Sequence, residues 1–296
     1  MDVPAASAPI APAAPGATSE RAQARRETLR VLFKRPAFII GCIVIIGWIV
    51  TAVLGERITP YDPLNDFSKG HVPPGTDHLF GTDRLGRDVL SRVMVGSRDV
   101  LIVAPLAAIL GVVTGTLLGL IMGYFRGIVD DVLSRLVEAF LALPVILVAL
   151  LTLVVLGSSS IVVVLVVGIL FMPIVARTVR SAVLSERQLD YVTAAKLRGE
   201  SGMFILSREI FPNVLGPTIV ELTVRFGYAI FTVATLSFLG VGIQPPSPDW
   251  GLTVSEEYTN MIGGIWWPTL FPALAIASSV VAVNLIADSL QSVLNE

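Results

Sequence analysis

The sequence predicts an all-α integral membrane protein with six transmembrane helices. Two observations carry that prediction. Apolar residues make up 54% of the 296-residue chain, charged residues only 15%, and the mean hydropathy is +0.78. A water-facing surface normally carries about 25% charge, so a soluble enzyme is excluded. The apolar residues also fall into six runs of about the 20 residues that a helix needs to cross a hydrocarbon core. Helices are required in such runs because no water is present to satisfy an open backbone.

Residues 1–19 are Ala, Pro, Ser, Gly and Thr without periodicity and read as a disordered tail. They lack the basic start and apolar core of a signal peptide. Residues 20–35 carry Arg21, Arg25, Arg26, Arg30, Lys34 and Arg35, with Leu29, Leu32 and Phe33 at helical spacing. This pattern predicts a basic interfacial helix on the cytoplasmic membrane surface. The first span runs from Pro36 to Leu54, with Pro36 in a first turn where a missing N–H costs little. A polar segment with turn signals at Tyr61-Asp62-Pro63 and Pro73-Pro74-Gly75 completes a unit over 36–97.

The other five spans form a core over 98–292. They are expected at Val100–Tyr124, Val132–Leu156 with a kink at Pro144, Ile161–Val179, Thr218–Val241 and Pro268–Ala287. Lys and Arg concentrate in the basic tail, the loop near Arg126 and Arg135, and the stretch 180–216. That bias places the N-terminus and C-terminus in the cytoplasm and 36–97's polar segment outside. Trp266 and Trp267 are then expected in the outer aromatic belt.

The net charge of −2 gives no sign of a nucleic-acid partner. The single cysteine, Cys42, forms neither an intrachain disulfide nor a cysteine-based zinc site, and reads as a small hydrophobe facing lipid or helix. His71 and His78 lie outside the apolar runs, and His71, just before Val72-Pro73-Pro74, reads as part of a solvated loop. Gly81 through Gly86 has the glycine spacing of a phosphate loop, but Arg87-Asp88 follows instead of Lys and Ser or Thr, and no strand precedes it. The arginines there are expected to meet lipid phosphates or a partner protein.

Gly111, Gly115, Gly119 and Gly123 recur every four residues in the second span, the pattern of a helix-packing groove. Its partner is open between a helix of this chain and another subunit. Glu221 and Arg225 are four residues apart near the inner end of the fifth span and form a candidate intramembrane ion pair, since an unpaired charge there is costly, with contact to substrate or an ATPase interface as the alternative. Asn284 and Asp288 share that spacing on the sixth. Thr232, Thr235 and Ser237 are candidate pathway-lining positions or helix glue.

Residues 185–213 are the most informative. Ser185 and Gln188 have capping-box spacing and open a helix of about 13 residues. Gly199 fits the left-handed position after its end. A second helical stretch starts near Ser201 and stops before Pro212. A connection this long with structure of its own is usually functional.

Tyr191-Val192-Thr193-Ala194-Ala195-Lys196-Leu197-Arg198-Gly199 followed by Ile210-Phe211-Pro212-Asn213 resembles the EAA loop of bacterial ABC-importer permeases. The glutamate of that name is Thr193 here, and Glu209 stands where a basic residue or histidine is usual. Gly81-Thr82-Asp83-Arg84-Leu85-Gly86-Arg87-Asp88, and Leu236-Ser237-Phe238-Leu239-Gly240 through Pro246 with Trp250-Gly251, resemble the C-type subunit of the dipeptide, oligopeptide and nickel branch. The resemblance covers roughly residues 30 to 292. It implies the type I importer fold and a coupling role for Tyr191, Ala194, Ala195, Gly199, Ile210 and Pro212. It further implies a homologous second permease, two cytoplasmic ATPase subunits that bind ATP and Mg, and an extracytoplasmic binding protein. The chain itself would hold no catalytic residue, cofactor or metal. Peptides are the implied cargo, with nickel and glutathione open. An ion-driven secondary transporter, the rival class, needs ionisable groups near the midplane, and the deep spans are nearly free of them.

Overall fold

The computed structural model describes residues 31–65 and 69–294. The tail 1–19 and most of the basic stretch 20–35 lie outside the described residues. Within them the chain is helical, without a named strand; Thr82 and Asp88 form one isolated bridge.

Helix α1 spans Pro36–Ile58, α2 Val89–Tyr124, α3 Ile128–Leu141 and α4 Val145–Leu156. Helix α5 spans Ser160–Glu186, α6 Asp190–Leu197 and α7 Gly202–Phe204. A π turn over Ile205–Ile210 joins α7 to α8, Phe211–Phe238. Helix α9 covers Trp250–Glu257, a 3-10 turn Tyr258–Gly263, and α10 Trp267–Leu294. Among the described residues five helical segments are long and apolar enough to cross a membrane, or six if the bent pair α3 and α4 is counted as one span. The kink expected at Pro144 is a bend of 86°. Proline removes a backbone donor and pushes the residue before it out of the helical region.

The spans are longer than the apolar runs. Helix α2 begins eleven residues before Val100, because the Asp88 carboxylate caps it by accepting from Ser91 N at 2.8 Å. Residues Arg92, Ser97 and Arg98 hide its first turns from a hydropathy reading, and the boundary drawn at 97/98 falls inside it. Helix α5 likewise runs on to Glu186.

The four glycines of α2 meet a helix of this chain. A Cβ on Gly111 would sit 2.8 Å from Gly168 O, on Gly115 2.6 Å from Val175 Cβ, on Gly119 2.7 Å from Ala176 O and on Gly123 2.6 Å from Val183 Cβ. The partner numbers rise with the glycine numbers, so α2 and α5 pack in parallel. Helix α10 runs antiparallel to α1, where Gly41 faces Ala282 and Trp48 Nε1 donates to Ser278 Oγ at 3.1 Å.

The end of the bundle that holds 59–65, 69–88 and 239–266 is a polar cap whose charged groups are largely buried. Trp250 is fully buried and donates to Val93 O at 2.8 Å. Asp83 accepts from Arg87 Nε at 2.7 Å, Arg87 Nη2 reaches Glu256 at 3.3 Å, and Arg92 bonds Thr253 and Pro63 O at 3.3 Å each. Arg87 and Arg92 are buried and meet this network, not the lipid or partner expected, whereas Arg84 is half exposed. The histidines are also structural. His78, buried, lies 2.9 Å from Asp88, and His71, half-buried, lies 3.1 Å from Glu257. Trp267 is buried and donates to Thr82 O at 3.0 Å, which leaves Trp266 alone of the pair exposed.

Candidate functional site

The opposite end of the bundle carries the connection from α5 to α8. Helix α6 has eight residues, shorter than the 13 expected, because α5 continues past Ser185. Ser185 caps nothing: its hydroxyl donates back to Ser181 O at 3.3 Å. Asp190 in the first turn and Lys196 in the last match the α6 dipole.

Gly199 ends α6 with φ +78°, and no atom lies within 4 Å of where its Cβ would be. Its N–H bonds Lys196 O at 3.0 Å and Glu200 N–H bonds Ala195 O at 3.3 Å, the two bonds of a Schellman motif. Backbone conformation, not crowding, is what demands glycine here. Ser201 then caps α7 by accepting from Phe204 N at 3.3 Å. The helical path does not stop before Pro212 as expected. In an α turn the proline ring collides with the carbonyl four residues back. The wider π turn over Ile205–Ile210 precedes Pro212, and the chain continues as one long helical segment.

The loop is fixed to the bundle. Val192, Ala195, Ile205, Leu206 and Ile210 are buried against Val179, Val183 and Val214. The Tyr191 hydroxyl donates to Glu186 Oε2 at 2.5 Å and accepts from Asn213 Nδ2 at 3.0 Å. One side chain thus clasps α5, α6 and α8. Burial, then the Glu186 carboxylate, push the Tyr191 hydroxyl up to about 12, so it remains a donor at neutral pH. Arg198 Nη2 reaches Glu209 Oε1 at 3.2 Å, which gives the unusual Glu209 a partner inside the loop.

The six loop residues singled out by sequence divide into two groups. Ala195 and Ile210 are fully buried and position the loop; Ala194, Gly199 and Pro212 are exposed, and Tyr191 is intermediate. Sequence reasoning missed Leu197, which is 86% exposed, together with exposed Leu189, Met203 and Phe204. Their signal was available: each is apolar within a charged stretch that belongs to no span. The loop thus shows apolar side chains at its surface among Lys196 and Arg198.

The spans hold the other candidates. Arg225 Nε lies 2.9 Å from Glu221 Oε2, and Thr178 Oγ1 donates to Glu221 Oε1 at 2.9 Å. The Arg225 guanidinium sits 5.0 Å from the Tyr228 ring centroid. Asn284 lies against α8, its Oδ1 3.0 Å from where a Gly227 Cβ would be, and Asp288 is exposed. Thr232 and Thr235 are partly exposed, whereas Ser237 is buried and accepts from Ile243 N at 3.1 Å, so it lines no pathway. Cys42 is partly exposed on α1.

Residues 115–296 match the family of binding-protein-dependent transport system inner membrane components, and residues 24–74 match the N-terminal TM domain of oligopeptide transport permease C. A Brucella suis (biovar 1, strain 1330) protein named as a peptide transport system permease is 39% identical over 269 residues, 90% of each chain. The dipeptide transport system permease protein of Bacillus subtilis (strain 168) is 33% identical over 91% of this chain and 85% of its own. A glutathione transport system permease protein of Escherichia coli O6:K15:H31 is 40% identical over 83% and 82%. The chain belongs to the family of binding-protein-dependent transport system inner membrane components, and it is a multi-pass protein of the bacterial inner membrane.

Proposed function

From this membership we propose that the chain is one half of the membrane pathway of an ATP-driven importer of di- or oligopeptides. A homologous second permease supplies the other half. Two cytoplasmic ATPase subunits dock on the 185–213 connection, and an extracytoplasmic binding protein delivers cargo to the polar cap. ATP and Mg are bound by the ATPases; this chain carries no catalytic residue, cofactor or resident metal.

The observation that carries the reading is the clasped, glycine-ended platform with Leu197 at its tip. Moving a two-state transporter from 1:99 to 99:1 takes about 5.5 kcal/mol of differential binding. A flexible linker would absorb that energy. Here buried Val192, Ala195 and Ile210 together with the Tyr191 clasp tie the platform to the ends of α5 and α8, so its displacement moves both spans. The bend between α3 and α4 and the parallel α2–α5 pair give the rest of the half-pathway its shape. The cargo reading rests on the relatives' peptide and dipeptide names. Glutathione, itself a small peptide, is the second reading, because one relative of similar identity is named for it.

Uptake of a labelled peptide pool into inside-out and right-side-out vesicles, with and without ATP, tests this. ATP-dependent uptake that needs the binding protein is expected. Uptake driven by an ion gradient alone, unaffected by ATP depletion, would contradict it.

A further inference from the structure

Two exposed rows of branched apolar side chains run along α1 and α2 toward the cap, and each ends on an arginine. On α1 the row is Ile39, Ile43, Ile46, Val50 and Val53, and Arg57 follows four residues on. On α2 it is Leu117, Val113, Ile109, Leu106 and Ile102, and Arg98 stands four residues before. Spacings of three and four keep each row on one helix face. Helix α1 has 23 residues, about 35 Å at 1.5 Å per residue, against a hydrocarbon core of about 30 Å. Arg57, one residue from its end, therefore stands at headgroup depth.

The rows converge on a cleft. The helices touch where a Gly55 Cβ would lie 3.3 Å from Val95 Cγ2 and where Thr51 Oγ1 lies 3.1 Å from Ser97 Oγ. Beside that line opens a space of about 600 Å³, with Ile49, Val53, Leu101 and Ile102 as apolar walls and Glu56, Arg57 and Arg98 at its cap end. Arg98 Nη1 reaches Glu56 Oε1 at 3.3 Å, but the side chains are 58% and 75% exposed, so the pair is a loose surface contact. Arg57 is exposed and pairs with no acid among the described residues. Among the residues lining the cleft, two arginines thus stand against one acid. A second helix would seat on small residues, as α5 does on the glycines of α2. The two rows that lead into the cleft carry none.

We propose that this cleft between α1 and α2 binds an anionic phospholipid. One acyl chain lies against Ile49, Val53, Leu101 and Ile102. The headgroup phosphate meets Arg57 and Arg98, whose planar guanidinium forks fit phosphate oxygens. The occupant follows from the two rows. They already face lipid, the cleft is where that lipid reaches its headgroup, and the positive end selects a negative one. Glu56 competes with the phosphate for Arg98. The bound lipid bridges α1 and α2 at the edge of the cap. The site is independent of the cargo and of the loop at the other end of the bundle.

The test uses the chain purified from its membrane with the subunits it retains and stripped of lipid in a neutral detergent. It is exposed to phosphatidylglycerol or to phosphatidylcholine of the same chain length. Retained lipid is counted by mass spectrometry, beside thermal unfolding and the yield of co-purified subunits. Wild type is expected to prefer phosphatidylglycerol, less so at high salt, and to melt higher in its presence. R57Q and R98Q should each lower that affinity about fivefold, and R57Q/R98Q further, with melting in detergent alone unchanged. E56Q should raise the affinity, since it frees Arg98 for the phosphate. I102W, whose ring fills the apolar end, should lower retention of both lipids. Equal retention of the two lipids by wild type would overturn the proposal, as would an R57Q/R98Q variant that keeps the wild-type preference. Loss of a co-purified subunit from R57Q/R98Q would overturn it in favour of a protein contact.

Discussion

The two ends of the bundle are both rich in charge, and they treat it oppositely. At the polar cap, Asp83, Arg87, Arg92 and Glu257 are buried and bonded within the chain. At the loop end, Arg198, Glu209 and Lys196 lie at the surface beside exposed Leu197 and Met203. Buried charge must be paired where it stands, because desolvation leaves no other compensation. The cap is therefore finished within one chain, while the loop is a surface left for another. Charge at the first end holds the fold, and under the proposed function charge at the second serves assembly.

The largest expected effect breaks the first half of that contrast. Asp83→Ala leaves Arg87 without its closest acid and Arg92 without its nearest one, and breaking a buried pair costs about 3–5 kcal/mol. Thermal unfolding in detergent should show a variant destabilised by about 3–5 kcal/mol, with proteolysis within 69–88 as the first cleavage.

A smaller effect at the same end depends on pH. Asp249 caps α9 by accepting from Leu252 N at 2.9 Å, yet burial lifts its carboxyl from 3.8 to about 6. The folded state then holds a proton that the unfolded chain has released. Its contribution is present below about pH 4 and is lost as pH rises through 6. Asp249→Asn keeps the cap and removes the titration. It should be more stable than wild type at pH 7 by about 3 kcal/mol and equal to it near pH 4. Paired melting curves at the two values decide it.

The smallest effect sharpens the second half. Arg198 is about half exposed, and its bond to Glu209 is a surface pair worth about 1 kcal/mol or less. Arg198→Ala should leave the melting temperature within a degree or two of wild type, while ATP-driven uptake falls.

The sequence made the interior legible and the polar helical ends obscure. Hydropathy found every span because lipid imposes one composition, and the spacing of Gly111 to Gly123 revealed a packing face. It did not identify α5 as the partner, since small residues state that a helix comes close without stating which one. Helix α2 was placed too short because Arg92 and Arg98 read as loop; only the Asp88 cap and the buried network keep those turns helical. His71 reads as solvated, and the cap arginines as meeting lipid or a partner, for the same reason, their partners lying up to 186 residues away. In the loop, Gly199 was legible from conformation alone. The π turn that carries the chain past Pro212 leaves no residue signature, and the burial of Ala195 follows only from packing against Val183 and Ile210. That burial also means Ala195→Arg would damage the fold itself, so an exposed residue gives the cleaner probe of docking.

Leu197 is that residue. The chain, tagged and extracted gently from its native membrane as wild type and as Leu197→Glu, should differ in one respect. Wild type should retain both a second permease and ATPase subunits, and the variant should keep the permease at full yield while losing most of the ATPase. A variant that retains ATPase at the wild-type ratio would contradict the assignment of the 185–213 connection as the docking platform.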